Sequence, residues 1–157
     1  MRLWRNRRYF LLSLSAMVLP LGISAAAGQR RTIWSAKEAY DALVADRARV
    51  IDVRSREEWR ETGVGAGVWP ISMHEDRFPQ RLMAAKALSG DRDVGLICAT
   101  GGRSAYLLRA LRRAGYDGYM DISEGMLGSR RGAGWIAAGL PIVPLQAALA
   151  LLPEELA

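Results

Sequence analysis

Residues 94–105, VGLICATGGRSA, pass without a break from an apolar, strand-like run through a glycine-containing turn into a helical pattern. That junction limits the fold more than any other stretch of the chain. A short strand that is apolar throughout needs cover on both faces, and a helix beginning at its end supplies cover on one of them. The helix itself is strongly patterned. Leu107, Leu108, Leu111 and Ala114 fall on one face, and Arg109, Arg112 and Arg113 on the other. Gly115 ends it.

The same alternation runs through the rest of the chain. Ser35, with Glu38 three residues on, forms a capping-box signature before a helix over residues 36–45. Residues 49–54, RVIDVR, read as a buried strand with Asp52 and Arg54 at its C-terminal end. Glu57, Glu58 and Trp59 suggest a short helical turn, with Trp59 in the core, and residues 62–70 are glycine-rich and irregular. A helix is expected from about Pro79 to Leu88, with Pro79 in its first turn. Asp91 and Asp93 flank the turn before the strand Val94–Cys98. Residues 116–122 supply another strand, 124–134 a loop, 135–139 a helical turn and 145–152 a last short helix. Helices alternating with short apolar strands predict an α/β domain with a largely parallel sheet covered on both faces. Ligands of such sheets bind outside the carboxyl ends of the strands, where Cys98 and the Asp52–Arg54 segment both fall.

The formal charge of +6 overstates how basic the folded part is. Arg2, Arg5, Arg7 and Arg8 precede an apolar run, and from Gly28 onward 18 basic residues face 16 acidic ones. A net +2 without an aromatic-interleaved basic stripe gives no warrant for a nucleic-acid partner. Residues 1–9 are basic and polar, residues 10–27 are apolar and small, and Ala25 and Ala27 stand before the polar break Gln29-Arg30-Arg31. This is the pattern of an export signal over residues 1–27, leaving a mature domain over 28–157. A retained membrane anchor is the alternative, and an uncleaved signal is the chain's expected route to a membrane. Residues 6–12, NRRYFLL, resemble the twin-arginine export motif, with Asn6 where Ser or Thr is commoner and no Lys following. That resemblance implies a bacterial protein exported already folded, to the periplasm.

Cys98 is the chain's single cysteine, so no internal disulfide exists; an exported lone thiol is either buried and inert or a reactive group. Its loop favours the second. Gly101 and Gly102 permit backbone angles closed to other residues, so that successive amides can form an anion-binding nest. The helix that follows adds the positive end of its dipole. A thiolate placed there is stabilised. Arg103 is positioned either to hold an anionic substrate or to brace the loop. Thr100 and Ser104 can donate hydrogen bonds, and Ser104 is also a candidate helix N-cap. One histidine, His74, and one cysteine make no metal site, and no cofactor is expected. His74 lies in the polar run Met73–Arg77 and reads as a surface or rim residue rather than a general base.

Taken together, these segments resemble the rhodanese family from about Ser35 to Ile142. Residues 51–59, IDVRSREEW, look like its first signature; 98–104, CATGGRS, fit its active loop; Glu124–Met126 and 135–141, WIAAGLP, look like its closing region. The resemblance implies a three-layer domain around a central, mainly parallel five-stranded sheet. It further implies that Cys98 is the nucleophile that accepts sulfane sulfur as a persulfide. The backbone amides of Ala99, Thr100, Gly101, Gly102, Arg103 and Ser104 would cradle that sulfur, and Asp52 and Arg54 would support the loop from the neighbouring strand end. The implied partners are a small anionic sulfur donor such as thiosulfate and a thiol or cyanide acceptor. The alternative is a persulfide carrier or accessory protein serving another exported protein. Four residues separate Cys98 from Arg103, whereas the cysteine phosphatases of similar fold hold five, and the smaller ring suits a persulfide better than a phosphate. The segment 63–70 is shorter than the family's and lacks its histidine, and the closing loop is extended over 129–134. Arg130 and Arg131 in that extension read first as a solvated loop tip, with attraction of anionic donors as the other reading.

Overall fold

A computed structural model describes residues 31–157. The expected export signal, residues 1–27, lies outside the described residues. The elements run in the order β1 (Ile33–Trp34), α1 (Ala36–Val44), β2 (Ala48–Asp52), α2 (Arg56–Thr62), β3 (Val64–Gly65), β4 (Trp69–Pro70), α3 (Phe78–Ser89), β5 (Asp93–Ile97), α4 (Gly102–Arg113), β6 (Tyr119–Ile122), α5 (Gly134–Ala137), β7 (Ile142–Val143) and α6 (Leu145–Ala150), followed by a 3-10 turn at Glu154–Leu156.

Five strands form one parallel sheet in the order β1-β6-β5-β2-β4. The pairing is in register along the centre, with Ile51 opposite Leu96 and Asp52 opposite Ile97. Helices cover both faces, as the burial of consecutive strand residues requires. On one face Ile51, Val94, Leu96 and Cys98 pack with Phe78 and Leu82 of α3 and Leu108 and Leu111 of α4. On the other, Val50, Ile97 and Ile122 pack with Ala36 and Ala39 of α1, Trp59 of α2, Trp135 of α5 and Leu145 of α6. The strand period of two therefore assigns Cys98, like Leu96 and Val94, to the α3/α4 side.

The expected helices appear, with their signals at work. Ser35 and Glu38 form the reciprocal capping box of α1. Ser55 and Glu58 form a second one, which makes the expected turn at Glu57–Trp59 a full two-turn helix. Trp59 is fully buried, as expected of a core residue. Four short strands were not legible. β3 and β4 fall in the segment read as irregular, β1 precedes α1, and β7 follows the helical turn at the closing region. Each spans two residues, too few for any periodicity, and each exists because a distant partner pairs with it: Val64 with Val143, Ile51 with Trp69, Ile33 with Asp121. Ala114 departs from its expected place in the apolar stripe, since it is the exposed C-cap of α4.

Candidate functional site

β5 ends at Ile97 and delivers Cys98 at the carboxyl edge of the sheet, where its side chain is 1% exposed. The carbonyls of Cys98 and Ala99 accept hydrogen bonds from the backbone N–H groups of Met126 and Leu127, both at 2.8 Å. The loop is thus stitched along the connection that leaves β6. Two glycines make that closeness possible. Gly101 has φ +83°, and a Cβ there would stand 2.1 Å from the Ser123 carbonyl oxygen. Gly125 has φ +70°, and its Cβ would stand 2.4 Å from the Ala99 oxygen. Both the angle and the space exclude a side chain at either position.

Gly101 is the N-cap of α4, and its N–H donates to Cys98 Sγ at 3.2 Å. Ser104 is not the cap. It lies in the first turn of α4, fully buried, with its hydroxyl 3.5 Å from Sγ and 3.2 Å from the Gly101 carbonyl. The sulfur therefore has two donors at hand, beside a helix start whose first amides lack intrahelical partners. Gly102 departs from expectation, because its φ is not positive and nothing approaches within 4 Å of a Cβ placed there. Its missing side chain serves an open loop mouth rather than a special backbone angle. Thr100 is exposed and Ala99 half-buried along the loop's outer edge.

Of the two roles open to Arg103, the geometry is that of a brace. Its Nη1 donates to Glu58 Oε2 at 2.8 Å, and its Nη2 to Glu58 Oε1. A fork-to-carboxylate pair of this kind fixes direction as well as charge. His74 Nε2 lies 3.4 Å from Arg103 Nη1 on the exposed rim, as expected for a rim residue. Glu58 is the site residue that sequence reasoning missed. The Ser55-x-x-Glu58 spacing signals a helix start, but nothing local signals a partner 45 residues away. Hydrogen bonding from Arg103 first, then from the Ser55 backbone, outweighs burial and holds the Glu58 carboxyl at about 2. A depressed carboxyl stabilises the fold above its unfolded value near 4.5, and that contribution disappears as the pH falls toward 2. Glu58→Gln keeps the capping box and removes the charge. It should be less stable than the parent chain at pH 7 by about 1 kcal/mol, for a pair whose side chains are still 32% and 28% exposed. Urea titrations at pH 7 and pH 3 should show that difference narrowing at the lower pH.

Asp52 and Arg54 form a buried ion pair, with side chains 0% and 1% exposed. Arg54 Nη2 reaches Asp52 Oδ2 at 2.7 Å, and Nε lies 3.0 Å from both carboxylate oxygens. The remaining donors go to Thr62 Oγ1 at 2.7 Å and the Gly63 carbonyl at 2.8 Å. Their support of the cysteine loop is indirect. They clamp the end of α2, α2 presents Glu58, and Glu58 holds Arg103. The arrangement sets the sulfur beside the Gly101 N–H and the Ser104 hydroxyl at the start of α4, donors that can stabilise an anionic sulfur.

Residues 35–129 match the family described as Rhodanese-like domain. A protein of Rickettsia rickettsii, itself described as uncharacterized, is 28% identical over 119 residues, covering 66% of this chain and 90% of its own. A crystal structure from M. tuberculosis aligns with a TM-score of 0.50 at 26% identity, covering 71% of this chain and 96% of that one. The crystal structure of a Rhodanese-like Domain Protein from Staphylococcus aureus has the same fold, with a TM-score of 0.50 at 24% identity over 71% of this chain and 98% of that one.

Proposed function

The chain belongs to the rhodanese-like domain family, and from that premise we propose that it is a sulfurtransferase that carries sulfane sulfur on Cys98. The observation that carries the reading is the Gly101 N–H donated to Cys98 Sγ at 3.2 Å at the start of α4, in a loop with four residues between cysteine and arginine.

The Cys98 thiolate attacks the outer sulfur of thiosulfate or a similar donor. A new Sγ–S bond forms, the S–S bond of thiosulfate breaks, and sulfite departs with the bonding pair. The persulfide's charge is held by the loop amides and by the Ser104 hydroxyl. A thiolate or cyanide then attacks the outer sulfur, and Cys98 leaves as the thiolate with which the cycle began. Each half is a displacement at sulfur, and the two together are covalent catalysis through one nucleophile. One cysteine suffices. We extend the proposal to compartment: the mature domain, residues 28–157, works in the periplasm, and N-terminal sequencing of the exported form should begin near Gly28.

Incubating the purified chain with thiosulfate should add one sulfur atom, read by intact mass, and added cyanide or thiol should remove it with turnover. A chain that takes no sulfur from thiosulfate, persulfides or mercaptopyruvate is not a sulfurtransferase. Loading without turnover on free acceptors would instead mark a carrier that delivers sulfur to a protein.

A further inference from the structure

Beside the cysteine loop lies a cleft of about 470 Å3, bounded by Thr100, Gly101 and Gly102, by α4 and by the extended turn after β6. That volume falls in the range of small-molecule sites, roughly 300–1,000 Å3. It far exceeds what cyanide or thiosulfate fills.

Two electrostatic features meet in it. Arg109 and Arg112 reach it from α4, and Arg130 and Arg131 from the turn. That turn is built rather than loose: Ser129 and Gly132 exchange backbone hydrogen bonds, and the Ser129 hydroxyl donates to the Ser123 carbonyl at 3.0 Å. Some arginines elsewhere are answered by carboxylates, Arg49 and Arg92 by Asp46 and Arg56 and Arg81 by Glu75, while Arg47, Arg77 and Arg113 stand in no ion pair among the described residues. The four in the cleft have no ion-pair partner among the described residues. Asp121 of β6 lines the same cleft, 4% exposed, and its Oδ1 has no hydrogen-bond partner. Burial pushes its carboxyl upward, while Ser104 and the charges of Arg131 and Arg109 pull it back. An unpaired buried acceptor destabilises the fold unless a ligand supplies the donor.

A ligand of one sign meets only half of this. A plain anion answers the arginines but leaves Asp121 Oδ1 without a donor and faces the carboxylate's charge. A plain cation answers Asp121 and is repelled at the rim. The geometry points to an amino-acid-type thiol as the sulfur acceptor, its ammonium group on Asp121 and its carboxylate on the arginines, entering the loop across Gly102. Gly102 has open space where a side chain would stand, so the acceptor's sulfur can approach from the cleft. The step balances as a displacement: the acceptor thiolate bonds to the outer sulfur, the Cys98 Sγ–S bond breaks, and Cys98 leaves as thiolate while the acceptor departs as its persulfide. This assignment rests on the sulfur-transfer reading and names its acceptor.

Three thiols separate the contributions: L-cysteine, 3-mercaptopropionate, which lacks the ammonium group, and cysteamine, which lacks the carboxylate. Offered to the persulfide-loaded full chain, L-cysteine should reach half-maximal rate at about tenfold lower concentration than either, the scale of one charged hydrogen bond. Asp121→Asn should erase the advantage over 3-mercaptopropionate. The double change Arg130→Ala and Arg131→Ala should erase the advantage over cysteamine. S-methyl-L-cysteine, which cannot react, should bind the unloaded chain by calorimetry and lose binding in Asp121→Asn. Equal half-maximal concentrations for the three thiols, a cysteine advantage that survives Asp121→Asn, or no binding of S-methyl-L-cysteine would each overturn the assignment. Failure of the chain to load sulfur from any donor would sink the sulfur-transfer reading itself, a result separate from the binding measurement.

Discussion

Arg54→Ala is expected to remove most of the chain's stability at neutral pH. The substitution leaves Asp52 fully buried, with its carboxylate stripped of three guanidinium contacts and retaining only the Arg54 backbone N–H at 3.1 Å. Breaking a buried pair on one side costs about 3–5 kcal/mol, because the remaining charge has no water to return to. Domains of this size are stable by roughly 5–15 kcal/mol, so a loss of this magnitude leaves little margin. The donors to Thr62 and the Gly63 carbonyl go as well, which frees the end of α2 and with it Glu58. Loss of stability and loss of a well-placed Arg103 should therefore appear together. Replacing both partners, Asp52→Leu with Arg54→Met, should recover part of the stability, since no charge is then stranded. Urea unfolding followed by circular dichroism measures all three chains. A single variant as stable as the parent would show that the pair is not the clamp described above.

Cys98→Ser is expected to do the reverse: the fold survives and the chemistry disappears. The substitution nearly preserves shape at a buried position, and the Gly101 N–H can donate to an oxygen as it does to sulfur. A serine hydroxyl at neutral pH is neither ionised nor able to hold a labile persulfide. Incubation with thiosulfate should leave the intact mass unchanged, and turnover should fall by at least about three orders of magnitude, as for removal of a covalent nucleophile. The thermal midpoint should stay within a few degrees of the parent chain. Sulfur transfer persisting in the serine variant would remove Cys98 from the proposed mechanism.

The two variants mark where sequence and tertiary structure each had authority. Local signals decided the helices with side-chain caps, because Ser35 with Glu38 and Ser55 with Glu58 satisfy the first orphan amides within four residues. They also decided the strand–loop–helix junction at Cys98 and its place at the carboxyl edge of the sheet. The run Val94–Cys98 is apolar throughout and needs no distant partner to be legible as a buried strand. Site residues were less evenly readable. Cys98 and Gly101 stood out from loop composition, and the loop confirmed Gly101 by leaving 2.1 Å where a Cβ would meet the Ser123 carbonyl. Gly102 looked identical in sequence and differs in kind, because what surrounds a glycine is not written beside it.

What only the folded chain decided is pairing across distance. Two-residue strands such as Val64–Gly65 carry no period and exist through partners like Ile142–Val143. Arg103 became a brace, rather than a free cation, through Glu58. Asp121 was one residue of the strand read over 116–122, and gained its meaning only when the fold brought it into one cleft with arginines from α4 and from the turn at Arg130 and Arg131. Backbone propensity, capping and side-chain period act within a few residues and are therefore visible in sequence. Charge pairing and burial depend on which elements the sheet order brings together, and the order β1-β6-β5-β2-β4 exists only once the chain has folded.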